Sequence, residues 1–177
     1  MLDLLLPLGG GAAQAAATVR SVSGAEPTSV GCATIKAVRE IGAEAMSVID
    51  KVAWIRVEGG RVLSTRSRGK DAYYLPGGKR ETGESDLQTL VREIEEELTV
   101  AIVPETVAHL GTYEAQAHGH PDGVKVRMTC YIGDYLGTLS PSSEIEEVVW
   151  LSYADRDRVS PVDQIIFDEL RAAGRLT

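Results

Sequence analysis

The sequence is short of cysteine: among its 177 residues only Cys32 and Cys130 carry a thiol. Two thiols so far apart form neither a metal-ligand spacing nor a disulfide framework. That usage fits a reducing compartment, so a cytoplasmic location is expected. Positive charge is also short, with 18 Lys and Arg against 26 Asp and Glu and a formal net charge of −8. A surface of that sign repels phosphate backbones, so neither DNA nor RNA is an expected partner. A small anionic ligand stays compatible if a metal ion supplies local positive charge. No apolar run reaches the length of a membrane span, so no membrane partner is expected. Leu4-Leu5-Leu6-Pro7-Leu8 with Ala15-Ala16-Ala17 has the outline of a secretory leader. The basic n-region such a leader needs is missing, and Asp3 stands there instead.

What is present is an ordinary globular mixture, 44% hydrophobic and 25% charged. The length suits one domain with a modest extension. Residues 1–45 are rich in Ala, Gly, Ser, Thr and Val, carry few charges and are broken by Gly9-Gly10-Gly11. They are expected to be a poorly ordered extension, with residues 46–177 forming the domain. One hypothesis is that the natural product starts at Met46. N-terminal sequencing of the native protein decides it, and a chain starting at residue 1 or 2 would sink it.

From Val48 the pattern sharpens. Val48 to Val57 and Arg61 to Thr65, separated by Gly59-Gly60, read as a hairpin over 48–65. Ser67 to Ala72 reads as a polar loop, and Tyr73-Tyr74-Leu75 as a short strand ended by Pro76-Gly77-Gly78. Asp86 to Leu98 is the clearest helix, with Ser85 as its N-cap. Strands are expected over Val107–Ala115, Val124–Ile132 and Ile145–Leu151, with a loop over His118–Gly123. The middle one alternates Val124, Val126, Met128, Cys130 and Ile132 with polar neighbours, as a half-buried strand does. Asp163 to Ala173 reads as an amphipathic helix with Ile165, Ile166, Phe167 and Leu170 facing the core. No internal repeat is visible. Strands with interspersed helices predict an α/β fold, a mixed sheet flanked by helices.

The helix over 86–98 carries two faces. Leu87, Leu90, Val91, Ile94 and Leu98 form an apolar stripe at about 100° per residue. Glu93, Glu96 and Glu97 cluster on a different face at i, i+3 and i+4. An acidic helix face is most often only a solvated one. Here each like-charge pair costs roughly 0.2–0.5 kcal/mol. The acids also sit toward the helix C-terminus, where the macrodipole disfavours them. Two costs at one place point to a missing positive partner, and hard oxygen ligands on one face suit Mg²⁺ or Mn²⁺. The Pro76-Gly77-Gly78 turn just before would let a backbone carbonyl approach such an ion. Lys79 follows at once and could hold a phosphate as a point charge. Arg66, with Arg68 and Lys70, could reach a distal phosphate. His118 and His120 lie on a loop that could cover the site, and Tyr73 or Tyr74 could stack on a base, with one of the two facing the core.

Taken together, Gly78-x5-Glu84-x7-Arg92-Glu93-Ile94-x-Glu96-Glu97-x-Thr99-Val100 resembles the Nudix box. Every fixed position matches except Thr99, where the family carries Gly. A β-branched residue in a left-handed conformation is strained by about 1 kcal/mol, so the helix is expected to end differently here. The resemblance implies an α/β/α sandwich and metal-dependent hydrolysis of the diphosphate linkage in a nucleoside diphosphate derivative. It implies Glu93, Glu96, Glu97 and the carbonyl of Gly77 or Gly78 as metal ligands. It gives Arg92 the task of orienting Glu93, and Glu84 that of bracing the loop and helix by pairing with Arg92. Family members differ in their general base, some using a box glutamate and others an acid further on. The candidates here outside the box are Glu144, Glu146 and Glu147; the expected catalytic set is Glu93, Arg92, Glu96 and Glu144. Lys79 and Arg66 are the expected substrate contacts. The expected partner is a small nucleotide, with a homodimer left open. A nucleoside triphosphate is the favoured substrate. Pro121 comes later than the ADP-ribose pattern places it, and Tyr113 earlier than the dinucleoside polyphosphate pattern does. Hydrolysis of those two classes, or nucleotide sensing without turnover, are the alternatives; retention of all the box acids speaks against a sensor.

Overall fold

A computed structural model describes residues 47–177. The expectations for residues 1–45 lie outside the described residues. Eight strands and two helices follow in chain order: β1 (Val48–Trp54), β2 (Val57–Glu58), β3 (Arg61–Ser67), α1 (Asp86–Leu98), β4 (Ala101–Ile102), β5 (Ala108–Gln116), β6 (Lys125–Ile132), β7 (Tyr135–Leu136), β8 (Ile145–Leu151) and α2 (Pro161–Ala172). One sheet has the order β1-β6-β5, with β1 parallel and β5 antiparallel to β6. A second, β2-β3-β8, is antiparallel, and β4 pairs with β7. Among the described residues no helix is long and apolar enough to cross a membrane.

The period-2 geometry of β1 divides the core. Val52 and Trp54 pack with Leu63, Leu90, Ile94 and Leu98, joining the sheets to α1. Ala53 and Ile55 point the other way, among Met128, Cys130, Ile166, Phe167 and Leu170, joining the sheets to α2. The result is the expected sandwich, sheets between helices. Each fully buried Leu or Ile of α1 contributes roughly 1.5–3 kcal/mol, so the apolar stripe fixes which way the acidic face of α1 looks.

Three local expectations change. The hairpin is confined to β2 and β3, where Val57 faces Val62 and Glu58 faces Arg61. β1 instead runs parallel to β6, with Lys51 opposite Met128. The chain breaks at Ile55-Arg56 because Ile55 N–H is taken by the Tyr131 carbonyl while Arg56 offers its carbonyl to Leu63 in β3. Tyr73-Tyr74-Leu75 forms only single bridges, Tyr74 to Thr65 and Tyr73 to Val159. Ile165 is on the outer face of α2, 38% exposed, and Val162 takes the core position. The helix begins two residues earlier than expected, with Pro161 in its first turn, where a missing N–H costs nothing.

The start of α1 is a capping box: the Ser85 hydroxyl accepts from Gln88 N–H, and the Gln88 side chain accepts from Ser85 N–H. Its end overturns the expectation for Thr99. That residue does take the left-handed conformation, φ 58° and ψ 25°, and caps the helix through Thr99 N–H to the Glu95 carbonyl. Buried Val100 on one side, and Ser140 N–H and Ser142 N–H bonded to the Leu98 and Glu97 carbonyls on the other, over-determine the exit of the chain. Replacing Thr99 by Gly should therefore stabilise the domain by about 1 kcal/mol. Urea denaturation checks this, and an unchanged midpoint would show that the Thr conformation is not strained.

Candidate active site

The turn at Pro76-Gly77-Gly78 is stitched onto the free edge of β1. Val52 N–H donates to the Gly78 carbonyl and Trp54 N–H to the Pro76 carbonyl, both at 2.9 Å. Gly77 has φ +134°, and a Cβ there would strike the Val52 carbonyl and sit 2.9 Å from Ala53 Cα. Only glycine fits so close to another backbone. Gly78 is excluded from having a side chain for a different reason: its Cβ would land on the Glu93 carboxylate. On the same turn, Gly77 N–H donates to Glu97 Oε2 at 3.0 Å. Two carboxylates from successive turns of α1 thus converge on one glycine pair.

Arg92 organises the helix side. Its guanidinium forks onto Glu84, Nε to Oε1 at 2.7 Å and Nη2 to Oε2 at 2.8 Å. It also donates from Nη1 to Glu93 Oε1 at 2.8 Å, and from Nη2 to the Lys79 carbonyl. This bidentate, charge-assisted geometry sets the Glu93 carboxylate in place. Arg92 with Glu81 N–H and the Thr89 hydroxyl holds Glu84 down at about 2, so it stays ionised. Glu96 is different. Its side chain is 55% exposed, and it touches Arg92 only at 3.4 Å, outside the cleft.

The cleft itself has a volume of about 400 Å³. Its lining combines Gly77, Gly78, Glu93, Glu97 and Glu144 with the apolar Ile49, Leu75, Val126 and Met128, which pack in one hydrophobic cluster. Glu97 is buried, which pushes its carboxyl up to about 8 despite the Gly77 N–H and Lys51. A carboxyl so desolvated, beside other acids, ionises readily only when a cation arrives. Glu144 accepts from the Ser143 hydroxyl at 2.6 Å, which lowers its pKa, so it presents an anion to the cleft. Glu146 and Glu147 do not line it. Both bind Arg66, at 2.8 and 3.0 Å, and Glu147 also accepts from Tyr73. Arg66 is therefore fully occupied away from the carboxylates, whereas Lys70 and Lys79 line the cleft. Tyr73 is in the core and Tyr74 faces the cleft, where its hydroxyl meets His118 Nδ1 at 2.7 Å. His120 lies on the same rim.

Two groups of this region escaped sequence reading. Lys51 lines the cleft from β1; its signal was a lone charge between Ile49 and Ala53 on one face of a strand. Asp163 is fully buried in the first turn of α2, where an acid is unremarkable in sequence. Its Oδ2 accepts from the Ser160 hydroxyl at 2.7 Å, while Oδ1 has no hydrogen-bond partner. Burial raises its pKa to about 7. Because the folded value lies above the unfolded one, Asp163 favours folding fully at low pH and loses that contribution as pH rises through 7. The stability difference between Asp163→Asn and the parent should thus move in favour of the variant from pH 5 to pH 8. Thermal denaturation at both pH values checks it; a constant difference would mean that Asp163 does not titrate in that range.

Among the described residues no three His, Cys, Asp or Glu side chains stand as a ready-made metal cluster. The fit to a divalent cation rests on two carboxylates and backbone. Glu93 fills the space that a Gly78 side chain would need, Glu97 is a buried acid beside other carboxylates, and the donors are hard oxygens. The Gly78 carbonyl already accepts from Val52 N–H and keeps one lone pair.

A NUDIX domain model matches residues 46–170. No curated protein matches the chain. Among solved structures, the ORF135 protein of E. coli is 28% identical, with 72% of this chain and 94% of that one aligned at a TM-score of 0.57. A nudix hydrolase family member from Chromobacterium violaceum is 25% identical over 71% of this chain and 78% of that one, TM-score 0.56. MutT protein from Methanosarcina mazei shares the fold at 21% identity, over 73% and 96% of the two chains, TM-score 0.59. With the matched domain spanning both faces of the cleft and the glutamates of α1, the chain belongs to the Nudix family and is a Nudix hydrolase, acting on nucleoside diphosphate derivatives.

Proposed function

We propose that the protein is a nucleoside triphosphate pyrophosphohydrolase that works with Mg²⁺ or Mn²⁺. The observation that carries this reading is the mixed lining of the cleft: carboxylates converging on the Gly77–Gly78 turn, together with an apolar set of Ile49, Leu75, Val126 and Met128. Such a cavity suits a ligand with a polyphosphate at one end and a flat, weakly polar base at the other. Glu93, Glu97 and a carbonyl of the glycine pair would hold the cation, which would supply Lewis-acid chemistry and a more acidic water.

The chain's own groups do the rest. Arg92 keeps Glu93 oriented, and Glu84 keeps Arg92 oriented. Glu144, an anion with one oxygen free of the Ser143 hydroxyl, accepts the proton of the attacking water. Glu96, outside the cleft, acts through Arg92 or through water. Lys70 and Lys79 offset the distal phosphates as point charges.

The test is a panel of (d)NTPs, oxidised NTPs, ADP-ribose and dinucleoside polyphosphates, assayed with Mg²⁺ and with chelator. Release of pyrophosphate from a triphosphate, abolished by chelation, is the expected result. Preference for ADP-ribose or a dinucleoside polyphosphate would replace the substrate assignment, and binding without turnover would make the protein a nucleotide sensor.

A further inference from the structure

We propose that Lys51 binds the phosphoryl group attached to the nucleoside, at the junction between the apolar compartment and the carboxylates of the cleft. The inference rests on the reading of this cleft as the diphosphate-hydrolysing site.

The cations around the cleft are not equivalent. Arg66, Arg80 and Arg92 are each held by two or more carboxylates. Lys51, Lys70 and Lys79 line the cleft, and among the described residues none has a side-chain hydrogen bond or an ion pair within 4 Å. Lys70 and Lys79 are exposed, so water satisfies them; Lys51 is only half exposed.

Its position is fixed by β1. Ile49, Lys51 and Ala53 share a face, and the parallel register sets Val126, Met128 and Cys130 opposite them. Among the described residues Lys51 is thus the one charged side chain on that face of β1 and β6. It lines the same cleft as Glu93, Glu97 and Glu144. Partial burial of Lys51 with no hydrogen bond or ion pair within 4 Å among the described residues carries a cost. The cost is understandable if a ligand supplies the partner. A nucleotide with its base on the apolar residues and its diphosphate on the carboxylates brings its linking phosphoryl group into the cleft that Lys51 lines with both sets. An anionic oxygen is a stronger partner for an ammonium than a neutral base carbonyl is. A compact charge on a flexible stem can follow that group without a fixed fork geometry.

The test compares wild type, Lys51→Met and Lys51→Gln. The ligands are the four deoxynucleoside monophosphates and their deoxynucleosides, titrated calorimetrically with Mg²⁺, alongside kcat and KM for the matching triphosphates. Loss of one charge-assisted contact should weaken monophosphate binding by about 10–100-fold and raise KM similarly. Deoxynucleoside binding should stay within about twofold in both variants, and Lys51→Arg should recover part of the loss. Thermal denaturation verifies that each variant is folded; Met suits an apolar floor. Wild-type-like monophosphate binding by both folded variants would overturn the proposal while leaving the hydrolase reading standing. Equal weakening of nucleoside and monophosphate would also overturn it, since the contact would then be to the base. If wild type neither binds nor hydrolyses any nucleotide, the reading of the cleft falls and the role of Lys51 with it.

Discussion

Glu97→Gln should lower kcat on the order of 10³-fold while making the metal-free protein more stable at alkaline pH. The two effects share one cause. Glu97 is a buried carboxyl pushed up to about 8, with Glu93 and Glu144 adding to the burial effect. A folded-state pKa above the unfolded value means that its contribution to stability is full below about pH 4.5 and is lost as pH rises through 8. Gln keeps the acceptor for Gly77 N–H and carries no charge, so the variant escapes that loss. At pH 8.5 without metal, Glu97→Gln should therefore melt above wild type. Added Mg²⁺ should raise wild type and leave the variant unmoved. Turnover assays and thermal denaturation with and without Mg²⁺ read both halves; full turnover by the variant would remove Glu97 from the metal site.

Gly78→Ala and Gly77→Ala should separate chemistry from folding. At Gly78 the backbone has ordinary φ, and the atoms nearest the new methyl are the end of the Glu93 side chain. Glu93 can swing away, so the protein should fold with near-normal stability. It should lose about 10²-fold or more in kcat, because Glu93 leaves Arg92 and the glycine turn. At Gly77 the methyl meets the backbone of β1, and φ is +134°. Neither strand nor turn can yield cheaply, so that variant should be destabilised by several kcal/mol. Circular dichroism melts beside kcat measurements resolve the pair. Equal stability loss in both would mean that Glu93 is packed as a structural group rather than held as a movable ligand.

Much of this was legible in the sequence because it is local. The helix over Asp86–Leu98, its Ser85 cap and the stripe that buries Leu90, Ile94 and Leu98 depend on spacing within one element. The link between Glu84 and Arg92 lies within the same motif. What was not legible depends on strand partners. Val48 to Thr65 has the composition of a hairpin, yet β1 pairs with β6 across much of the chain. That non-local pairing puts Lys51 on the cleft floor. Arg66 looked free in sequence; β3 pairing with β8 brings Glu146 and Glu147 onto it. Glu144, one residue before β8, takes the Arg68 N–H on its carbonyl, while its side chain lines the cleft. Thr99 shows local preference overruled by packing, since Val100 and the segment at Ser140–Ser142 leave only the left-handed exit.

The most direct test of the central claim, that Glu93 and Glu97 with the Gly77–Gly78 turn bind a divalent cation for diphosphate cleavage, is a Mn²⁺ titration followed by electron paramagnetic resonance. Wild type and Glu97→Gln would be titrated in the presence of a nucleoside monophosphate. Wild type should take up Mn²⁺ tightly, and the variant should lose that uptake while remaining folded. Equal Mn²⁺ binding by the two proteins, or none by wild type, would contradict it.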